Sequence, residues 1–339
     1  FASHLRSAHH HRPGEPERSG GVMSLLQVRD LNVWYSLGEG GENHAVRDLS
    51  FSLDPGQRLG LVGESGCGKT TALLALMALL PPTASVSGEV LFEGENLLNE
   101  DIARGHRWRD IALVFQGAMN AFNPVRRIED QLVEPMLVHK SLAADAARGR
   151  ARELLEMVGI TASAGRRYPH ELSGGMRQRA MLAMALACDP KILIADEPTT
   201  ALDSMVQAQI LQLLSKLSDE LGLALLLVTH DLPVVSQVCS QAVVMYAGAL
   251  AESGPVADLY HRPQHPYTRL LYAATPDLHD ERSVVSIPGV PPRLDHPITG
   301  CAFAPRCDVA LSKCTTSAPP TVQIEPGWTS ACWRAGGAQ

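Results

Sequence analysis

Residues 25–35 (LLQVRDLNVWY) alternate apolar and polar positions, the period-two pattern of a half-buried strand. The glycine-rich stretch 38–43 turns the chain into a second strand over 45–53, and Asp54-Pro55-Gly56 turns it again. A short apolar strand follows at 58–62 (RLGLV), then a buried helix over 71–80 (TALLALMALL) stopped by Pro81-Pro82. Residues 88–94 read as another short strand. Residues 109–116 (RDIALVFQ) predict an apolar strand ending in glutamine, with a loop at 117–124. Between 128 and 187 the pattern turns helical, with Ala151, Leu154, Leu155 and Val158 on one face and breaks at glycines and at Tyr168-Pro169. A buried strand returns at 191–198 (KILIADEP), followed by a helix over 206–217 and a second buried strand at 223–230 (LALLLVTH). Residues 241–246 and 249–253 form a hairpin about Gly248. This order predicts an α/β core with an inserted helical lobe. Beyond about 255 proline, cysteine and turn residues dominate, which places a boundary there.

The 339 residues allow two domains, or one large domain with an extension, and 45% apolar residues supply a core. A formal charge of −7 implies no general affinity for nucleic acid or an anionic membrane. No apolar run approaches the roughly 18 residues that span a bilayer, so any membrane crossing falls to other chains. Residues 1–22, ahead of Met23, are rich in His, Arg, Gly and Pro and read as a disordered leader or a tag. His9-His10-His11 reads as part of that solvated tail. Of the seven cysteines, Cys67, Cys188 and Cys239 are scattered through the body, while Cys301, Cys307, Cys314 and Cys332 crowd the tail. Without a secretory signal the expected compartment is cytoplasmic and reducing.

Gly63-Glu64-Ser65-Gly66-Cys67-Gly68-Lys69-Thr70-Thr71 fits G-x-x-x-x-G-K-[ST], with a strand before it and a helix after it. Glycines let successive backbone N–H groups turn towards phosphate oxygens, and the helix N-terminus adds partial positive charge. Lys69 is expected to reach the β- and γ-phosphates of a nucleoside triphosphate, and Thr70 to offer its hydroxyl to Mg²⁺. Asp196 and Glu197 end the apolar strand at 191–198. The first suits Mg²⁺ and the second can polarise an attacking water. Ser173, Gly174 and Gly175 open a helix, giving bare N–H groups, a hydroxyl and a helix dipole suited to a γ-phosphate.

With Leu172-Ser173-Gly174-Gly175 just ahead of the acid strand, residues 24–255 resemble the ATP-binding-cassette ATPases. That resemblance implies a P-loop NTPase cassette: a RecA-like α/β core, an antiparallel β subdomain and a helical subdomain at about 120–187. It implies that the signature completes the ATP site of the opposite subunit, so that two cassettes sandwich two nucleotides. Tyr35 matches the adenine-stacking aromatic residue, and Gln116 the glutamine that senses Mg²⁺ and water and relays to the membrane subunit. Ala201-Leu202-Asp203 matches the loop communicating across the dimer, and His230 the histidine on the γ-phosphate. Cys67 stands where Ser or Ala is commoner, and Met176 where the family prefers glutamine. Cys67 should still serve as a backbone donor.

Leu-Ser-Gly-Gly-Met-Arg-Gln-Arg is similar to the subgroup serving oligopeptide and dipeptide importers. The tail agrees at His265-Pro266-Tyr267-Thr268, Ile287-Pro288-Gly289, and Cys301-Ala302-Phe303-Ala304-Pro305-Arg306-Cys307. Nickel- and glutathione-import ATPases share parts of it. The resemblance implies a peripheral ATPase on the cytoplasmic face of the cell membrane. Its expected partners are two transmembrane permeases, a second, different ATPase (a heterodimer) and an extracytoplasmic peptide-binding protein. The four tail cysteines, separated by six, seven and eighteen positions, lack the tight C-x-x-C pairing of most zinc ribbons. The subgroup's precedent implies a structural [4Fe–4S] cluster on residues 256–339; Zn²⁺, free thiols and disulfides remain open. A rival class, a nucleic-acid-clamping cassette ATPase, is expected to show long coiled coils, a doubled cassette or a basic stripe, and the sequence has none. A small-molecule kinase would leave the signature and His230 unused.

Overall fold

The computed structural model describes residues 24–38, 41–117, 121–140, 142–200, 202–274 and 286–337. The expected leader, Ala201 and part of the loop after Gln116 lie outside these residues. In chain order, β1 (Leu26–Gly38) and β2 (Gly41–Leu53) form a long hairpin, and β3 (Arg58–Val62) leads through the glycine-rich loop to α1 (Lys69–Leu76). β4 (Ala84–Phe92) and β5 (Glu95–Asn96) follow, then α2 (Glu100–His106) and β6 (Ile111–Val114). The helical lobe is α3 (Ile128–His139), α4 (Ala144–Met157) and α5 (Gly174–Ala185), with short 3₁₀ turns between α4 and α5. β7 (Ile192–Asp196), α6 (Ser204–Leu221), β8 (Ala224–Thr229), α7 (Leu232–Val238), β9 (Gln241–Tyr246) and β10 (Ala249–Pro255) complete the α/β body. The tail adds α8 (Val256–His261), α9 (Pro266–Ala273), β11 (Val322–Glu325) and β12 (Trp328–Ser330).

Two sheets result. One is four-stranded and antiparallel in the order β2-β1-β4-β5; the other is eight-stranded in the order β11-β12-β10-β9-β3-β8-β7-β6. Strands β9, β3, β8, β7 and β6 are parallel, with helices on their faces. Burial on both faces explains their nearly continuous apolar runs. Alternate residues of β8 serve different cores: Leu225 and Leu227 pack towards the helical lobe, Leu226 and Val228 towards α1 and the smaller sheet. In the lobe, Ala151, Leu154, Leu155 and Val158 are all fully buried, as their shared face required.

Several boundaries differ from expectation. α1 ends at Leu76 rather than reaching Pro81, because Ala78 takes a left-handed φ of 47° and Arg107 collects the carbonyls of Met77 and Ala78. α2 and α7 gave no periodic signal long enough to read, at seven residues each. The tail rejoins the sheet. Glu252 of β10 pairs with Ser330 of β12, and fully buried Glu252 accepts hydrogen bonds from Trp328 Nε1 (2.9 Å), Gln264 N (2.8 Å) and His265 N (3.0 Å). Tyr246, Tyr267 and Phe303 pack their rings edge-on or tilted with centroids 4.6–5.4 Å apart, joining β9, α9 and the cysteine segment.

Candidate active site

The loop between β3 and α1 is held open at its centre. Ser65, Gly66 and Thr70 are exposed, while Gly63, Cys67 and Lys69 are buried beneath. Gly68 ends the loop with φ 101°, and a Cβ there would lie 2.4 Å from the carbonyl oxygen of Ala45, so no larger residue fits. Lys69 Nζ donates to Gly63 O (2.7 Å) and Glu64 O (3.0 Å) and sits 3.7 Å from Cys67 Sγ. Its ammonium is thus fixed inside the loop's curve. Burial pushes the Cys67 thiol up, so it stays neutral there. Tyr35 of β1 reaches Thr71, with its hydroxyl 3.4 Å from Thr71 Oγ1, which puts an aromatic ring at the far end of the loop.

β7 lies beside β8, which lies beside β3, so its C-terminal acids arrive near the loop. Thr70 Oγ1 and Asp196 Oδ2 are 3.5 Å apart. Burial, reinforced by the charge of Glu197, pushes the Asp196 carboxyl up to about 6, with Lys69 and Thr70 pulling the other way. Two hard oxygen donors, one a carboxylate short of positive charge, fit Mg²⁺. Glu197 leaves the strand at φ 45° and is held by three donors: His230 Nδ1 (2.8 Å), Gln116 Nε2 (2.7 Å) and Thr200 Oγ1 (2.9 Å). Burial opposes its charge, yet the hydrogen bonds from His230 and Thr200 outweigh burial and hold its carboxyl below the usual range.

Gln116, Glu197 and His230, from three strand ends, therefore converge, and Thr200 joins them. Thr200 was missed in the sequence, although its place three residues after the acid was a signal. The signature stands elsewhere. Ser173 is exposed and caps α5 through its hydroxyl, which accepts from Met176 N (3.3 Å). Gly175 has a packing role too, since a Cβ there would meet Val206 Cγ1 at 2.7 Å. Asp203 caps α6 by accepting from Val206 N (3.0 Å). Among the described residues, no hydrogen bond joins Ser173, Gly174, Gly175 or Asp203 to the chain's own phosphate loop.

The four tail cysteines face one small pocket of about 20 Å³, walled also by His265, Phe303 and Trp333. Two of the sulfurs accept a backbone hydrogen bond: Cys314 Sγ from Leu311 N (3.4 Å) and Cys332 Sγ from Arg334 N (3.5 Å). Among the described residues, no group of three or more His, Cys, Asp or Glu is arranged to hold a single metal ion.

A phosphate loop, a carboxylate suited to Mg²⁺ and an oriented, ionised base on adjacent parallel strands define a nucleoside triphosphatase. The family described as ABC transporter matches residues 46–200, and the oligopeptide/dipeptide transporter C-terminal region matches 251–314. A probable peptide ABC transporter ATP-binding protein of Sinorhizobium fredii, y4tR, is 46% identical, covering 91% of this chain and 95% of its own. The oligopeptide transport ATP-binding protein OppD of Escherichia coli is 44% identical over 92% and 93%. The dipeptide transport ATP-binding protein DppD of Bacillus subtilis is 43% identical over 91% and 94%. Among solved structures, the dimeric form of MJ0796, a bacterial ABC transporter cassette, superposes with a TM-score of 0.60 at 29% identity, covering 68% of this chain and 98% of its own. The same cassette in a post-hydrolysis state with ADP and phosphate gives 0.61. This chain belongs to the ABC transporter ATP-binding subunits, in the group that carries the oligopeptide/dipeptide C-terminal region.

Proposed function

We propose that this chain hydrolyses ATP to drive import of oligopeptides or dipeptides through partner permeases. The observation that carries this reading is similarity to peptide-transport ATP-binding proteins along nine-tenths of the chain, tail included. Those relatives favour peptides over nickel or glutathione as cargo. Residues 23–255 form the cassette, with the helical subdomain at about 120–187, and 256–339 form a regulatory, metal-binding extension. Its partners are two transmembrane permeases, a second and different ABC ATPase, and an extracytoplasmic peptide-binding protein. The chain is a peripheral subunit on the cytoplasmic face of the membrane, and no helix among the described residues is long and apolar enough to cross one.

In this reading the loop N–H groups and Lys69 bind the triphosphate, and Tyr35 takes the adenine. Thr70 and Asp196, with Gln116, hold Mg²⁺, which supplies neutralisation of phosphate charge. Glu197 accepts the proton of the attacking water, and His230 and Gln116 orient Glu197 and meet the γ-phosphate side. Ser173, Gly174 and Gly175 bind the phosphate of the opposing subunit, and Asp203 carries the state of one site to the other; the exposure of Ser173 supports this reading. Cysteines 301, 307, 314 and 332 hold a structural [4Fe–4S] cluster. The four thiolates would ligate its irons, and the cluster would tie the tail segments together. Four thiols lining one pocket support a shared ligand, and the choice of the cluster over zinc follows from the resemblance to the peptide-importer subgroup.

The test is isolation of the assembly formed with this chain, followed by reconstitution into vesicles. Two multispanning proteins should accompany it, and ATP-dependent accumulation of short peptides should follow. Assembly without permeases, or uptake of nickel or glutathione but no peptide, would overturn the reading.

A further inference from the structure

Glu64, the second residue of the phosphate loop, is the point where the tail grips the nucleotide site. Its carboxylate forms a two-pronged ion pair with Arg306, at 2.7 Å (Oε2–Nη1) and 3.0 Å (Oε1–Nη2), although the two lie 242 positions apart. Arg306 is only 4% exposed and is itself held by Pro288 O (Nε, 2.7 Å) and Tyr246 Oη (Nη1, 3.2 Å). The backbone N–H of Glu64 donates to the hydroxyl of buried Tyr267 on α9 (2.9 Å), and its carbonyl accepts from Lys69 Nζ (3.0 Å). All three polar groups of this residue are thus committed, two of them to the tail.

We propose that Arg306 and Tyr267 are positioning residues of the ATP site, acting through Glu64; this rests on the reading of the loop as that site. The argument is electrostatic as well as geometric. An unpaired carboxylate at position 64 would repel the incoming triphosphate. A buried guanidinium in a two-pronged geometry cancels that charge and fixes its direction. Tyr267 keeps the Glu64 N–H turned inward to the protein, so the peptide that carries the Lys69 contact has one orientation. Arg306 directly precedes Cys307, so the order of the cysteine segment sets the position of the guanidinium.

The experiment is titration of the full-length chain with a fluorescent ATP analogue and Mg²⁺, with thermal unfolding measured on every variant. Arg306→Gln should weaken binding about tenfold, while the same change made in Glu64→Gln should shift it by no more than about twofold, because the repelling charge is already gone. Arg306→Lys should recover part of the loss. Tyr267→Phe, which keeps the ring packing, should weaken binding with little change in melting temperature and serves if Arg306→Gln does not fold. Equal losses in both backgrounds, or lowered melting temperatures with unchanged affinity, would assign these side chains to folding alone and overturn the proposal. Lys69→Ala separates the two levels: wild-type affinity there would defeat the ATP-site reading itself. Its loss beside unaffected Arg306→Gln and Tyr267→Phe would defeat only the clamp.

Discussion

His230 Nδ1 stands 2.8 Å from Glu197 Oε1, across the ends of β8 and β7. With Gln116 and Thr200 on the other oxygen, the carboxylate is aimed by the chain's own side chains. Orientation and ionisation are thus supplied together, since the same contacts hold its carboxyl below the usual range. Glu197→Gln keeps the shape and removes the proposed base. Its turnover should fall by about 10²–10⁴-fold with ATP affinity retained, leaving a closed, ATP-loaded dimer. Single-turnover hydrolysis and size-exclusion chromatography with ATP check this, and undiminished steady-state turnover would refute the role of Glu197.

In the proposed reading Asp196 sets the acid limb. Its carboxyl is pushed up to about 6 from 3.8, so folding raises its affinity for a proton. The sign follows: stability is lost as pH rises from about 4 to about 6, and the ionised form needed for Mg²⁺ is lost as pH falls below about 6. Asp196→Asn should therefore raise the apo melting temperature at pH 7.5, by the equivalent of at most about 3 kcal/mol, while abolishing turnover. Wild-type nucleotide affinity should drop between pH 7 and 5.5, and excess Mg²⁺ should restore it. Melting curves and titrations at several Mg²⁺ concentrations decide the point.

His265 gives the tail a pH dependence of the opposite sign. It is nearly fully buried, its Nδ1 accepts from Tyr267 N (3.0 Å), and burial lowers it from 6.5 to about 4. Stability from this neutral ring is complete above pH 6.5 and is lost as pH falls towards 4, by about 3 kcal/mol at most. Glu252, whose backbone-linked carboxyl is pushed up by burial, titrates the other way. The difference between wild type and His265→Asn isolates the histidine. The Asn variant, which keeps an acceptor for Tyr267 N, should show a flatter melting temperature between pH 4.5 and 7.

The cysteine pocket should contain iron and acid-labile sulfide at about four each per chain after anaerobic purification. Cys307→Ser should reduce both and lower the melting temperature. Zinc at one per chain, with no sulfide, would replace the cluster by a different metal.

Trp328 anchors the returning tail. It is buried, bonds Glu252 and lies beneath the Arg262 guanidinium at 4.7 Å. Trp328→Ala should cost about 3–5 kcal/mol, read as a loss of melting temperature and faster proteolysis of residues beyond 255.

The sequence alone determined the chemistry that is contiguous: the phosphate loop, the acid pair after a buried strand, the serine-glycine helix start and the alternation that defines each strand. These are legible because a period of two or 3.6 reports which face of a local element is buried, and a loop's glycines report its own curvature. Tertiary structure decided the partners. Nothing in the run KILIADEP says that its glutamate will meet Gln116, Thr200 and His230, nor that four cysteines spread over 32 residues will face one pocket. Nor could the tail's pattern announce that Arg306 would reach Glu64 or that β12 would extend the sheet through β10. A hydrophobic period fixes burial but names no neighbour. Pairing across hundreds of residues is chosen by sheet order and by the need of each buried polar group for a partner.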